Sequence, residues 1–263
     1  MHGRQGGEDM HGDASRPLAR SLSRARIGSG LYAQVVETLG QEIVDGTIAT
    51  GSILGSDEVC ARFGVSRSVV REAVRTLGSM GLVAPRPQVG TRVQPPTEWD
   101  LLNPHIVRWR SAGVGGVEQL RELLELRLGL EPVAARLAAT RMPPAEADRL
   151  VACVAGMESA LAAGDAPRYF AFDVEFHALL LDGSGNGVMA RLAEAVGITI
   201  AARSRDPRPG MDGIRPSSVV DHRALAEAIA AGDADAAEAS ARVVVRDTLA
   251  EIDDIAGASD SAA

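Results

Sequence analysis

Apolar residues recur at helical spacing along most of this chain. Leu31, Val35, Val36, Leu39 and Ile43 share one stripe and Gly46 ends it, which predicts a helix over 31–45. Ser56 or Asp57 opens a short segment over 56–63, Gly64-Val65 makes a turn, and Ser66, a residue that can cap a helix, starts a third helix ending near Gly78. Within it Val70, Ala73, Val74 and Leu77 form an apolar stripe. Arg67, Arg71 and Arg75, at i, i+4 and i+8, fall together on another face, because four residues advance about 400° around an α-helix. The pattern then shortens: Gly81–Pro85 and Thr91–Val93 read as strands around an Arg86–Gly90 tip. Helix, helix–turn–helix and β-hairpin in that order predict a winged helix.

Pro95-Pro96 closes this module, and Trp99 to Trp109 reads as a helical connector that docks on one or both neighbours, followed by Gly113–Gly116. Helical periodicity resumes over 117–140, 144–163, 166–182 and 187–203. A loop over 204–215 precedes two further helices at 217–231 and 233–254, with Gly232 between them. The fold class is therefore mainly α: an N-terminal winged helix-turn-helix domain plus a C-terminal six-helix antiparallel bundle of roughly 140 residues. The expected division is a disordered tail over 1–27, a winged helix-turn-helix domain over 28–95, a helical connector over 96–115, an all-helical domain over 116–256, and a disordered tail over 257–263.

Composition sharpens this reading. Aromatics make up only 3% of 263 residues, so Leu, Val, Ile and Ala supply the packing. Without a long apolar run or an apolar leader, the chain is expected to be cytoplasmic, with no membrane association. Cys60 and Cys153 lie in separate apolar segments and read as reduced thiols. The net charge is −8, yet residues 62–92 hold six Arg against one acid, Glu72. Cationic character is thus concentrated where the arginine row lies, and a polyanion responds to local field rather than to overall pI.

The segment Leu31 to Pro95 resembles the N-terminal domain of the GntR family of bacterial transcription regulators. The resemblance rests on Phe63-Gly64-Val65-Ser66-Arg67, on Val70-Arg71-Glu72-Ala73-Val74-Arg75-Thr76-Leu77, on Met80-Gly81-Leu82-Val83, and more loosely on Arg86 to Val93 with Gly90. It implies a third helix in the major groove and a wing on the minor groove. Arg67 and Arg71 then become candidates for base readout or close phosphate contact, with Ser66 and Ser68 on the backbone. Arg75 meets phosphate or pairs with Glu72, and Arg86 and Arg92 belong to the wing. Before the turn, Leu54-Gly55-Ser56-Asp57-Glu58-Val59-Cys60 departs from the usual Leu-Pro-Ser-Glu-Arg-Glu-Leu-Ala by lacking its basic position.

In the bundle, Asp173 and His177 lie one turn apart on a helix face, and His222 sits on the core side of a second helix with Leu225 and Ile229. A carboxylate and two imidazoles can hold a divalent metal with positions left open for an anionic ligand. They can equally be a hydrogen-bonded polar cluster. Residues 117–250 resemble the FCD effector-binding domain of the FadR-type branch of GntR regulators. The features are Leu123 to Pro132, Asp173 with Phe176-His177, Ser184-Gly185-Asn186, Asp221-His222 with Ala228-Ile229, and Gly232 to Ala237. Metal-binding members carry a further His in the last helix, where this chain has Val244. The resemblance therefore implies either Zn²⁺ or Ni²⁺ held by three residues plus effector or water, or direct effector binding by the same groups. It also assigns Arg127 to an effector carboxylate, against a salt bridge to Glu131 as the structural alternative. Asn186 contacts ligand or caps a helix.

The Glu98 to Trp109 connector looks most like that of regulators of sugar-acid catabolism, of the galactonate and gluconate type. The function expected is a homodimeric regulator, a repressor that leaves a palindromic operator on double-stranded DNA when a small carboxylate effector such as a sugar acid binds. Two other readings stand beside it. One is a metal-dependent enzyme built on Asp173, His177 and His222. The other is an architectural DNA binder with a vestigial ligand domain.

Overall fold

The computed structural model describes residues 30–87, 89–113, 115–203 and 214–260, with side chains up to Asp253. The tail over 1–27, most of the 204–215 loop, and residues 261–263 of the C-terminal tail lie outside the described residues.

The N-terminal head opens with α1 (Leu31–Val44), whose Val35, Val36, Leu39 and Ile43 enter the core as their spacing requires. β1 (Ile53–Leu54) and α2 (Ser56–Phe63) follow. Gly64 ends α2 in a left-handed conformation (φ 63°), which a side chain rarely adopts, and so turns the chain into α3 (Arg67–Ser79). Val70, Ala73 and Leu77 of α3 are buried against α1. β2 (Val83–Arg86) and β3 (Gly90–Val93) make the wing, with Val83 opposite Val93 and Arg86 opposite Gly90. β1 adds to the far edge of β3, Ile53 opposite Arg92, and gives a three-stranded antiparallel sheet in the order β1-β3-β2. Two residues offer no alternation to read, which is why β1 was not among the predicted strands.

After a 3₁₀ turn at Pro96–Glu98 the connector forms α4 (Pro104–Ala112), capped by the Asn103 side chain, which accepts from the His105 N–H. The bundle then comprises α5 (Gly116–Arg141), α6 (Pro144–Ala163), α7 (Ala166–Gly183), α8 (Gly187–Ala190), α9 (Ala193–Arg203), α10 (Pro216–Ala230) and α11 (Ala234–Asp260). Connections of only a few residues join most of them, as antiparallel neighbours require. The sequence reading differs from this structure at two places. The helix predicted over 187–203 is broken at residues 191–192 into α8 and α9. The last helix runs past 254 to Asp260, into the segment expected to be a tail; before that point its Val245 and Ile252 pack on Leu120 and Leu124 of α5.

The bundle core is built from Ala135, Leu150, Met157, Phe176, Leu180, Leu225 and Ala241, with small residues allowing close helix approach. One cluster of polar groups lies inside it.

Candidate metal centre and nucleic-acid interface

α7 sends Asp173 and His177 inward one turn apart, α10 sends His222, and α5 sends Arg127 and Glu131, also one turn apart; all five are buried. The sequence pattern thus brings Asp173, His177, His222 and Arg127 together, and adds Glu131, which had been considered only as Arg127's partner.

Hydrogen bonding at the two Nδ1 atoms defines what the imidazoles present. His222 Nδ1 donates to the Ser218 carbonyl at 2.7 Å. His177 Nδ1 lies 2.9 Å from Glu131 Oε2. Each Nδ1 is thereby engaged by an acceptor, leaving both Nε2 atoms turned toward Asp173. Asp173 Oδ1 is 3.1 Å from His222 Nε2 and 3.3 Å from His177 Nε2, and the two Nε2 atoms are 3.4 Å apart. Ligands about 2.0–2.1 Å from a tetrahedral ion stand roughly 3.3 Å from one another, so this triangle has the size of one coordination face. Asp173 Oδ1 accepts no hydrogen bond although it is buried. An orphaned carboxylate oxygen facing two imidazole nitrogens, each braced from behind, is the donor set and outer support that a divalent ion requires. The residues fit such an ion.

Charge supports the same picture. Burial alone would raise the Glu131 pKa, but Arg127 and His177 beside it outweigh that and hold it down to about 2. Burial likewise opposes ionisation of Asp173, and the two histidines overcome it, holding the carboxyl well below its ordinary range. For His177, burial works against the charged form, while Glu131 and Asp173 more than offset it and raise the pKa. Without metal, a proton on His177 would make the charges of His177, Arg127, Glu131 and Asp173 cancel. A divalent ion would displace that proton and leave the cluster with net positive charge. That is the electrostatic condition for accepting an anion.

Arg127 Nε donates to Glu131 Oε1 at 2.7 Å, so the salt bridge that stood as the alternative to an effector role forms. Its Nη2 also reaches the His177 ring, 3.0 Å from Nε2. One guanidinium therefore joins the ion pair and faces the triad. Asn186 is not brought to the cluster; its side-chain oxygen accepts from Val188 N–H at 2.9 Å and caps α8. A cavity beside the centre is lined by Tyr169, Arg203, Arg215, Ser218, Val244 and Glu251 among others. Ser218 belongs to both, since its carbonyl holds His222 and its hydroxyl lies 2.8 Å from the Tyr169 hydroxyl. Val244 is buried, an apolar wall at the position where the resemblance would put a third imidazole. Arg203 and Arg215 both pair with Glu251, Arg203 at 3.0 Å. Of this lining, sequence reasoning raised only Arg203 as a cavity residue, without motif support, because the residues come from or beside α7, α9, α10 and α11 with no shared spacing.

On the head, Ser66, Arg67, Ser68, Arg71 and Arg75 are all exposed along α3. Ser66 stands at the N-cap but makes no side-chain cap bond; its hydroxyl meets that of Ser68 at 2.8 Å. Arg67 pairs with Asp57 of α2 at 2.9 Å and Arg75 with Glu72 at 2.7 Å. Arg71 has no ion-pair partner among the described residues. Arg86 and Arg92 are exposed on the wing.

Comparison with known proteins agrees with this geometry. Residues 31–93 match the bacterial regulatory proteins of the gntR family, and residues 122–247 match the FCD domain. The HTH-type transcriptional regulator YieP of Escherichia coli is 30% identical over 81% of this chain and 91% of its own. The chain belongs to the gntR family. It is a DNA-binding transcription regulator with an FCD domain. The galactonate operon transcriptional repressor of Escherichia coli is 28% identical, over 84% of this chain and 96% of that protein. A probable D-xylose utilization operon transcriptional repressor of Paenarthrobacter nicotinovorans is 29% identical, over 84% and 86%. The fold matches a solved structure of Lar, which controls expression of the Listeria monocytogenes agr system. The TM-score is 0.61 at 19% identity, covering 86% of this chain and 97% of that one. These relatives are transcription regulators. No helix among the described residues is long and apolar enough to cross a membrane.

Proposed function

We propose that this regulator is a homodimeric repressor that leaves a palindromic operator when a small organic acid of the sugar-acid class enters the bundle. The observation that carries the reading is the buried centre of Asp173, His177 and His222 with Arg127 beside it. It is a donor-rich site in an otherwise apolar core, and with a divalent ion bound it would carry the net positive charge that matches a carboxylate. Asp173, His177 and His222 hold a divalent ion, Zn²⁺ or Ni²⁺ by donor type, and the ion supplies a Lewis-acidic position for the effector. Arg127 orients the effector carboxylate. The likeness to the galactonate operon repressor supports the ligand class.

On the DNA side, Arg71 and Arg67 read base edges. Ser66, Ser68, Arg75, Arg86 and Arg92 hold the phosphate backbone. Two such heads, one DNA turn apart, read the palindrome. A thermal-shift screen of galactonate, gluconate, lactate and dicarboxylates, with and without Zn²⁺, tests the bundle. Gel shifts of Arg67→Ala and Arg71→Ala test the head. An Arg127-dependent shift with one acid and loss of operator retention in both variants are expected. Unchanged gel shifts in both, or no acid that stabilises the protein, would remove the reading.

A further inference from the structure

Two flanks of α1 face different partners. One flank puts Val35, Val36 and Leu39 into the core with Val70 and Leu77 of α3, and the Tyr32 hydroxyl meets Thr76 Oγ1 at 2.6 Å. Any displacement of α1 therefore carries the recognition helix with it. The other flank presents Glu37, Gly40 and Gln41 to α4. There the indole of Trp109 lies so close to Gly40 that a Cβ at that position would stand 2.3 Å from the ring. Trp109 Nε1 donates to Glu37 Oε2 at 2.9 Å. Arg108 Nη2 donates to both Glu37 oxygens, at 2.7 and 2.8 Å. Gln41 Nε2 donates to the Trp109 carbonyl at 3.2 Å. The connector is also tied to the head upstream, by Trp99 Nε1 to the Gln94 carbonyl at 3.1 Å and Asp100 N–H to the Met80 carbonyl at 3.0 Å.

The opposite side of α4 belongs to the bundle. Val107 packs with Leu123 of α5 and with Ala195 and Ile198 of α9, and Arg110 pairs with Glu122 of α5 at 3.0 Å. α9 ends at Arg203, which lines the cavity beside the buried centre. One short helix is thus held on both sides, and a flexible hinge at that point would dissipate any movement of the bundle.

We propose that Glu37 and Gly40 are positioning residues for operator reading: they fix the angle at which the head is carried on α4, and so set the spacing between the two recognition helices of a dimer. The notch at Gly40 admits the indole in one pose. The Glu37 carboxylate locks that pose through the Trp109 N–H and the Arg108 guanidinium, on two successive residues of α4. Neither residue touches DNA on this account. Their effect is on spacing, whereas the α3 arginines determine half-site sequence. The inference rests on the dimeric-operator reading above.

The test is selection of binding sites from random duplex DNA by the full-length protein, scored separately for half-site sequence and for spacing. Wild type is expected to enrich one half-site at one spacing. Glu37→Ala is expected to enrich the same half-site while its preference for that spacing over neighbouring ones falls about fivefold or more, within the usual range of coupling between sites. Glu37→Gln keeps an acceptor for the indole and is expected to recover most of the preference. Gly40→Ala should behave like Glu37→Ala. If it does not fold, Gly40→Ala combined with Trp109→Ala removes the collision and should show the same relaxed spacing. Unchanged spacing in Glu37→Ala overturns the proposal, as does loss of half-site sequence together with spacing, which would mean a damaged head. A wild type that enriches only single half-sites removes the dimer reading and this proposal with it, a result distinct from any change confined to the variants.

Discussion

Asp173 Oδ1 is a buried acceptor without a donor, and the sequence spacing of Asp173, His177 and His222 was enough to expect that it would face two imidazoles. What spacing did not convey is the bracing behind them: the Ser218 carbonyl on one Nδ1 and the Glu131 carboxylate on the other. Glu131 looks in sequence like an ordinary i+4 partner of Arg127. Only the approach of α7 to α5 turns it into the group that orients His177. Outer groups of this kind typically contribute about 10–100-fold in metal affinity. Glu131→Gln is therefore expected to weaken Zn²⁺ binding by about that factor, measured by competition with a chromophoric chelator, while operator binding stays the same. Equal affinity in the two proteins would show that Glu131 serves packing alone. On the head, the proposed contact of Arg67 with DNA would require it to release Asp57, an exposed pair that water and salt already weaken. Asp57→Asn is expected to tighten operator binding a few-fold in gel shifts, and weaker binding would contradict the placement of Arg67 on DNA.

At the scale of elements, the winged helix was legible because each part carries its own signal: the apolar stripe of α1, the Gly64 turn, the arginine row of α3. β1 was not, since two residues have no period, and neither was the break between α8 and α9, where Arg191 and Leu192 are both good helix formers and no Gly or Pro marks a stop. The α1–α4 joint was also hidden. In sequence Gly40 is only a poor helix former, and its reason becomes visible when Trp109 occupies the space a side chain would need. Glu37 gives this joint a pH signature. Burial would raise its pKa, but hydrogen bonds from His105, Arg108 and Trp109 outweigh that and lower it from 4.5 to about 2. A depressed carboxylate stabilises the fold fully above its unfolded value and loses that contribution as pH falls through its folded value. Between pH 4.5 and 2, wild type is thus expected to lose stability more steeply than Glu37→Gln, as followed by thermal melts. Parallel curves would mean that the ion pair contributes nothing measurable.

Over the whole molecule, charge divides the labour. An acidic chain of net −8 sets five arginines on the recognition helix and wing against a single acid there, Glu72, and the bundle buries one arginine, Arg127, at the polar centre. Composition and motif order made this division readable; the route between the halves needed the packing of α4 on both. The most direct measurement follows operator DNA by fluorescence anisotropy with full-length protein carrying Zn²⁺, titrated with galactonate, gluconate, lactate and dicarboxylates, beside His222→Ala. Wild type should release DNA with at least one acid, and His222→Ala should bind DNA equally well yet fail to respond. Release that persists in His222→Ala, or no release by any of these acids, would contradict the account.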